Sequence, residues 1–290
     1  MKLLKILFLL LLTFGVISSC SKSETKRKRI SVTIVPQKYF AEKIAGDKYE
    51  INLMVPAGSS PESYDPSPST LIDLGKSEAY FMIGKIGFEI VWADKLKSNY
   101  PDLKFFDNSK NIEFIETNEH ECSHEDDHHH EGVDPHIWMS PNNALVISKN
   151  MLDAFIDLDP SNKDYYISNY NALAAEIESM KLKIDSIMGT VSNKSFVIYH
   201  PSLTYFAKDY NLNQLSIEND GKEPSAMSLK NIINEIKDEG TSVVFIQEEF
   251  DKKNAEVIAN EIGGKVVTIN PLSYNWSGEM IKTANALSQN

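Results

Sequence analysis

Seven histidines occur in the chain, and six fall within one stretch of twenty residues from Glu119 to Trp138, "EHECSHEDDHHHEGVDPHIW". Imidazole nitrogens and carboxylate oxygens are ordinary ligands of divalent zinc, so metal binding is the first chemistry to weigh. His120, His124, His128, His129 and His130 alternate with Glu119, Glu121, Glu125, Asp126, Asp127 and Glu131, and no large apolar side chain intervenes between Ile115 and Val133. A segment of that composition has nothing to bury, so residues 119–131 are expected to form a mobile loop. Its imidazoles and carboxylates, with Cys122 as a further donor, would hold metal weakly and without fixed geometry.

The remaining candidates sit where a fold can fix them. Ligands of open α/β sheets bind beyond the carboxyl ends of the strands. Four segments at strand or helix ends carry metal-ligand types: "GSSPESYDPSP" with Glu62, "DPHIWMSP" with His136, "YHPS" with His200 and "INPLSYNW" with Asn270. Prolines beside these candidates stiffen the backbone and lower the entropy lost when a ligand is held still. Two imidazoles and one carboxylate suit a tetrahedral zinc ion, with water or an amide oxygen in the fourth place. The same donor set serves zinc hydrolases, but H-E-x-x-H, G-x-S-x-G, a P-loop and G-x-G-x-x-G are all missing from the sequence. Glu248 and Glu249 are the nearest candidates for a general base, and no enzyme activity is expected.

The elements that must position these residues alternate strand and helix. "ISVTIV", "YEINLMV" and "AYFMIG" read as strands, and "PQKYFAEKIAG" between the first two reads as a helix closed by Gly46. "SPNNALVISKNMLDAFIDL" begins with Ser140 as N-cap and Pro141 at the first helical position. In the second half "SFVIYH", "TSVVFI" and "KVVTI" read as strands. "SLKNIINEIKDEG", with Ser228 as cap and Gly240 as stop, and "DKKNAEVIANEIGG" read as helices. β-Branched runs of this kind suit parallel sheets covered on both faces. Between the halves lies a thirty-residue run without interior glycine or proline, in which Leu173, Ile177, Met180, Ile184 and Ile187 form an apolar stripe. The expected fold is therefore α/β: two lobes with parallel sheets, residues 30–158 and 191–290, joined by one long helix over 159–190.

Six segments taken together carry a resemblance: "VPQKYFAEKIAGD", "VPAGSSPESYDPSP", "DPHIWMSPNNA", "FVIYHPSLTYFAKDY", "IENDGKEPSAMSL" and "INPLSYNW". In this order they resemble the solute-binding proteins of bacterial ATP-binding-cassette importers of zinc and manganese. The resemblance implies that the linking helix is rigid, that a metal ion sits in the cleft between the lobes and that it is delivered to a membrane permease; the chain is expected to be a monomer. It implies that His136 and His200 are the second and third ligands, and a histidine at position 200 points to Zn²⁺ over Mn²⁺. The family's first ligand is normally histidine where this chain has Glu62, and its fourth is often aspartate where this chain has Asn270. Losing one carboxylate and gaining another keeps a single anionic ligand, so the expected set is Glu62, His136 and His200, with water or Asn270 fourth. In zinc-type members, loops like 119–131 are thought to gather or sense metal. The rival readings are the same role for manganese, and an envelope adhesin or metal buffer that never meets a permease.

The chain opens with "MKLLKILFLLLLTFGVISSC", two lysines before an apolar run too short to span a bilayer, which reads as a secretory signal. Its end, "VISSC", matches a lipobox, so Cys20 is expected to carry a lipid anchor, with residues 21–29 as a polar tether. That places the protein outside the cytoplasm, in the cell envelope. Forty-one acidic against 29 basic side chains, a net charge of -12, argue against nucleic-acid partners and favour cations. With Cys20 lipidated, Cys122 has no partner for an intrachain disulfide.

Overall fold

The computed structural model describes residues 27–117, 132–218 and 224–289. The leader, Cys20 and the histidine-rich run at 119–131 fall outside the described residues, as do the readings made of them.

The first lobe runs β1 (Lys28–Val32), α1 (Val35–Ala45), β2 (Tyr49–Leu53), α2 (Pro68–Leu74), β3 (Ala79–Met82), α3 (Gly87–Asn99) and β4 (Lys104–Asp107). A 3₁₀ turn at Ile137–Met139 leads into α4 (Pro141–Leu158), and a second at Pro160–Asn162 into α5 (Lys163–Met188). The second lobe runs β5 (Ser195–Ile198), α6 (Thr204–Tyr210), β6 (Asn213–Ser216), α7 (Ala226–Glu239), β7 (Val243–Gln247), α8 (Lys253–Ile262), β8 (Lys265–Ile269) and α9 (Trp276–Leu287).

Both sheets are four-stranded and parallel, and both have the strand order 2-1-3-4: β2-β1-β3-β4 and β6-β5-β7-β8. The halves share no close sequence repeat, so the repeat is one of topology. Each order reverses between its two central strands, which opens a crevice at their carboxyl ends where ligands bind in such sheets. The central strands β5 and β7 are buried along their whole length, as their apolar runs require. The edge strands β4 and β6, "KFFD" and "NQLS", are only partly covered.

Local chemistry explains the helix ends. The Ser140 Oγ accepts from the Asn143 N–H at 3.1 Å, with Pro141 next to it, as expected. The cap of α7 is Ser225, three residues earlier than expected, and the Ser228 N–H donates to its Oγ at 3.1 Å. Gly240 ends that helix with a left-handed φ of 66°.

Helix α5, at 26 residues, is roughly 39 Å long. Leu173, Ile177, Met180 and Ile184 are buried along it, as the stripe predicts, Ile187 is only partly buried, and Tyr166 and Met188 extend the buried face. It packs on α1 and α4, which precede it, and on α9 of the second lobe, and so links the lobes. One continuous apolar core results, running from Phe40 and Phe155 through Trp138 and Ile177 to Phe206 and Trp276. Two indoles stitch it across the lobes. The Trp276 N–H donates to the Trp138 carbonyl and the Trp138 N–H to the Pro271 carbonyl, both at 2.9 Å. The Trp276 ring stands edge-on to Phe40, centroids 5.0 Å apart.

Candidate metal centre

Three of the expected residues converge at the floor of the cleft. Glu62 Oε1 lies 3.6 Å from His136 Nε2 and 3.9 Å from His200 Nε2. The two Nε2 atoms are 3.3 Å apart, with the rings nearly edge-to-face at 73°. Among the described residues these three form a group whose candidate ligand atoms all lie within 4.8 Å of one another. Metal–ligand bonds of about 2.0–2.1 Å in a tetrahedron put neighbouring ligand atoms roughly 3.3–3.4 Å apart. The edge between the two Nε2 atoms has that length, and the edges to Glu62 Oε1 are longer, at 3.6 and 3.9 Å.

Each histidine is oriented by a carboxylate behind it. Asp134 Oδ1 sits 2.8 Å from His136 Nδ1 and also accepts from the His136 backbone N–H at 2.8 Å. Glu218 Oε1 sits 2.6 Å from His200 Nδ1. A carboxylate at Nδ1 fixes the proton there and leaves the Nε2 lone pair facing the cleft. Two lone pairs and a carboxylate oxygen pointing at one another repel unless a cation or proton lies between them. Burial works against a charged His136, yet Asp134 beside it, with Glu62 and Glu218, raises its pKa above the ordinary histidine value. Burial likewise works against the Asp134 carboxylate, but His136 and its hydrogen bonds hold its pKa below the usual range.

The backbone explains the convergence. Parallel pairing of β5 with β6 sets Ile198 opposite Ser216, and the ladder continues as Glu218 N–H donates to the Tyr199 carbonyl at 3.0 Å. Two residues past each strand, His200 and Glu218 are thereby brought together. Gln247, buried at the end of β7, donates to the His200 carbonyl at 2.6 Å and to Ser202 Oγ at 2.8 Å. Phe250 lies over the His200 ring at 5.7 Å. Tyr205 holds the other histidine's segment, donating its hydroxyl to the Asp134 carbonyl at 2.8 Å.

Glu62, with 40% of its side chain exposed, rides on a loop locked to the start of α3. The Phe88 N–H donates to the Pro61 carbonyl at 2.8 Å, and a Cβ added at Gly87 would meet the Glu62 carbonyl oxygen at 2.3 Å. Only glycine permits that approach. The turn before α3 is tied down in turn by Glu89, which accepts from the N–H groups of Ile83 and Gly84 at 2.7 Å each and from Thr33 Oγ1. Burial pushes the Glu89 carboxyl up to about 7 against those hydrogen bonds.

Asn270 is placed elsewhere. Its side-chain oxygen accepts from the Leu272 N–H at 2.9 Å, closing a turn, and its amide donates to Glu248 at 3.0 Å. The cleft cavity, about 440 Å³, is lined by the triad together with Glu218, Gln247 and Glu249, and Asn270 does not line it. Desolvation raises the pKa of the Glu249 carboxyl, opposed by its own backbone N–H and by His200. Sequence reasoning missed Asp134, Glu218 and Gln247. Asp134 stands two residues before His136 in "DPH", which is a readable signal, whereas Glu218 can be found only once the strand register is known.

Two parallel α/β lobes with 2-1-3-4 sheets, a linking helix and a donor cluster in the cleft between them define a two-lobe solute-binding protein. The sequence model of the family described as zinc-uptake complex component A, periplasmic, matches residues 30–289. The chain is 26% identical over 286 residues to the high-affinity zinc uptake system protein ZnuA of Bacillus subtilis strain 168, covering 92% of this chain and 88% of that protein. The crystal structure of a ZnuA superposes with a TM-score of 0.83 at 36% identity, covering 91% of this chain and 98% of the other. A zinc-bound deletion variant of ZnuA superposes at 0.81, also 36% identical, over 90% and 97% of the two chains. This chain belongs to the zinc-uptake complex component A family.

Proposed function

We infer that the protein is an extracytoplasmic solute-binding protein that captures Zn²⁺ and delivers it to an ATP-binding-cassette permease. The ion is held by Glu62 Oε1, His136 Nε2 and His200 Nε2, with Asp134 and Glu218 orienting the imidazoles. The observation that carries this reading is the pair of Nε2 atoms 3.3 Å apart, both facing one carboxylate oxygen. Two nitrogens and one oxygen favour zinc over manganese, which prefers oxygen-rich shells. Cys20 would carry the lipid anchor, and His120, His124, His128, His129 and His130 would gather ions for the cleft. No helix among the described residues is long and apolar enough to cross a membrane. The role requires no catalytic step, and the protein acts as a monomer.

Competition titration against a zinc chelator tests the assignment. One tight equivalent per chain is expected, and His136→Ala combined with His200→Ala should abolish it. A double variant that keeps the tight equivalent would show that the ion is held elsewhere.

A further inference from the structure

The triad supplies three vertices of a tetrahedron, and the turn after β7 walls the cavity on the side of the second lobe. Three of the four residues of that turn are anchored. Gln247 is bonded to the His200 carbonyl and Ser202, Glu248 accepts from the Asn270 amide at 3.0 Å, and Phe250 packs on Tyr199 and His200. Glu249, the fourth, lines the cavity, and among the described residues no other side chain or backbone group forms a hydrogen bond or ion pair with its carboxylate. Its carboxylate shares the cavity wall with His200 and His136, the two imidazoles of the triad.

The geometry points to Glu249 as the fourth protein ligand of the bound ion, swinging in from the second lobe to take the place left to water or Asn270. The inference rests on the cleft being the zinc site. The Glu249 carboxylate is not one of the three clustered atoms, so it joins by rotation about its side-chain bonds while its anchored neighbours stay fixed. The consequences are chemical. With Glu62 and Glu249 both coordinated, two carboxylate charges balance a divalent ion, and a neutral shell is cheaper to bury than a charged one. Ligands then come in equal number from each side of the cleft, Glu62 and His136 from one, His200 and Glu249 from the other, so the ion itself draws the lobes together. Asn270 cannot do this while its oxygen is committed to the Leu272 N–H.

The test compares the mature full-length protein with Glu249→Gln, Glu249→Ala and, as a control, Glu248→Gln. Readouts are zinc affinity by chelator competition, coordination by zinc K-edge X-ray absorption, and the visible d–d spectrum of the Co²⁺-loaded protein. Both Glu249 variants should lose roughly 10-fold or more in zinc affinity, given that even orienting partners of a ligand are worth about 10–100-fold. Their cobalt spectra should shift, while Glu248→Gln matches the parent. Unchanged affinity and spectrum in both Glu249 variants would overturn the inference, as would the same loss appearing in Asn270→Ala instead. The double histidine variant separates the two readings: if it retains tight zinc the cleft site itself fails, whereas if it loses zinc and the Glu249 variants do not, only the fourth ligand fails.

Discussion

Gly87→Ala perturbs the site without touching any ligand. The added Cβ would lie 2.3 Å from the Glu62 carbonyl oxygen and 2.9 Å from both its carbonyl carbon and its Cα. Comfortable carbon contacts are roughly 3.5–4.0 Å, so the Glu62 backbone must retreat by about 1 Å. A metal site tolerates only about 0.2 Å in its bond lengths, so a shift of that size takes Glu62 out of the shell. Gly87 is not among the glycines with positive φ, so its backbone accepts alanine and the whole effect comes from this contact. Zinc affinity should fall roughly 10- to 100-fold, or about 1.4–2.8 kcal/mol. Overpacking should cost the metal-free fold about 1–3 kcal/mol, read as a Tm lower by about 2–4 °C for each kcal/mol. The decisive assay is a double-mutant cycle with Glu62→Ala by chelator competition. If Gly87 acts through Glu62, the double variant binds no more weakly than Glu62→Ala alone. Parent-like affinity in Gly87→Ala, or two losses that simply add, would refute the reasoning.

Three other perturbations follow from the same geometry. Glu218→Gln keeps an acceptor for His200 Nδ1 but removes the charge, so zinc affinity should drop about 10- to 100-fold, with Glu218→Ala weaker still by the same titration. His136 has a raised pKa in the metal-free protein, so its charged form contributes stability that is complete below its unfolded value near 6.5 and is lost as pH rises through the higher folded value. Glu89, at about 7, has the same sign: the fold keeps a proton the unfolded chain releases, so stability falls as pH rises from about 4.5 towards 7. Denaturant titrations of the metal-free protein should therefore show stability declining across this range, and His136→Asn should remove only the upper part of the slope. Zinc affinity should move oppositely, weakening on acidification, because the ion needs neutral imidazole. Trp276→Phe leaves the buried Trp138 carbonyl without its donor and should destabilise the fold by about 1–3 kcal/mol in thermal unfolding.

The elements with strong local signals were readable in the sequence. The buried strands announced themselves as β-branched runs, α4 by Ser140 and Pro141, and α5 by its stripe. The edges were not: "NQLS" is polar because β6 is half-solvated, so nothing in its pattern marks a strand. Yet it is β6 that carries Glu218 to His200, which is why the orienting carboxylate escaped notice. The α7 cap was misplaced because two serines three residues apart both suit the role, and only the Ser228 N–H bonded to Ser225 Oγ decides between them. Glu62, His136 and His200 were legible as residues beside proline at element ends. Asn270 looked the same locally, but its oxygen closes the Leu272 turn, a competition that spacing does not reveal. His136 is held by Pro135 and by the 3₁₀ turn that leads into α4.

The central claim is that one zinc ion sits between Glu62, His136 and His200. Crystals of the zinc-loaded protein measured on both sides of the zinc absorption edge test it directly. The account predicts one dominant anomalous peak about 2.0–2.2 Å from Glu62 Oε1, His136 Nε2 and His200 Nε2. A dominant peak bound instead by residues 119–131, with none in the cleft, would contradict it.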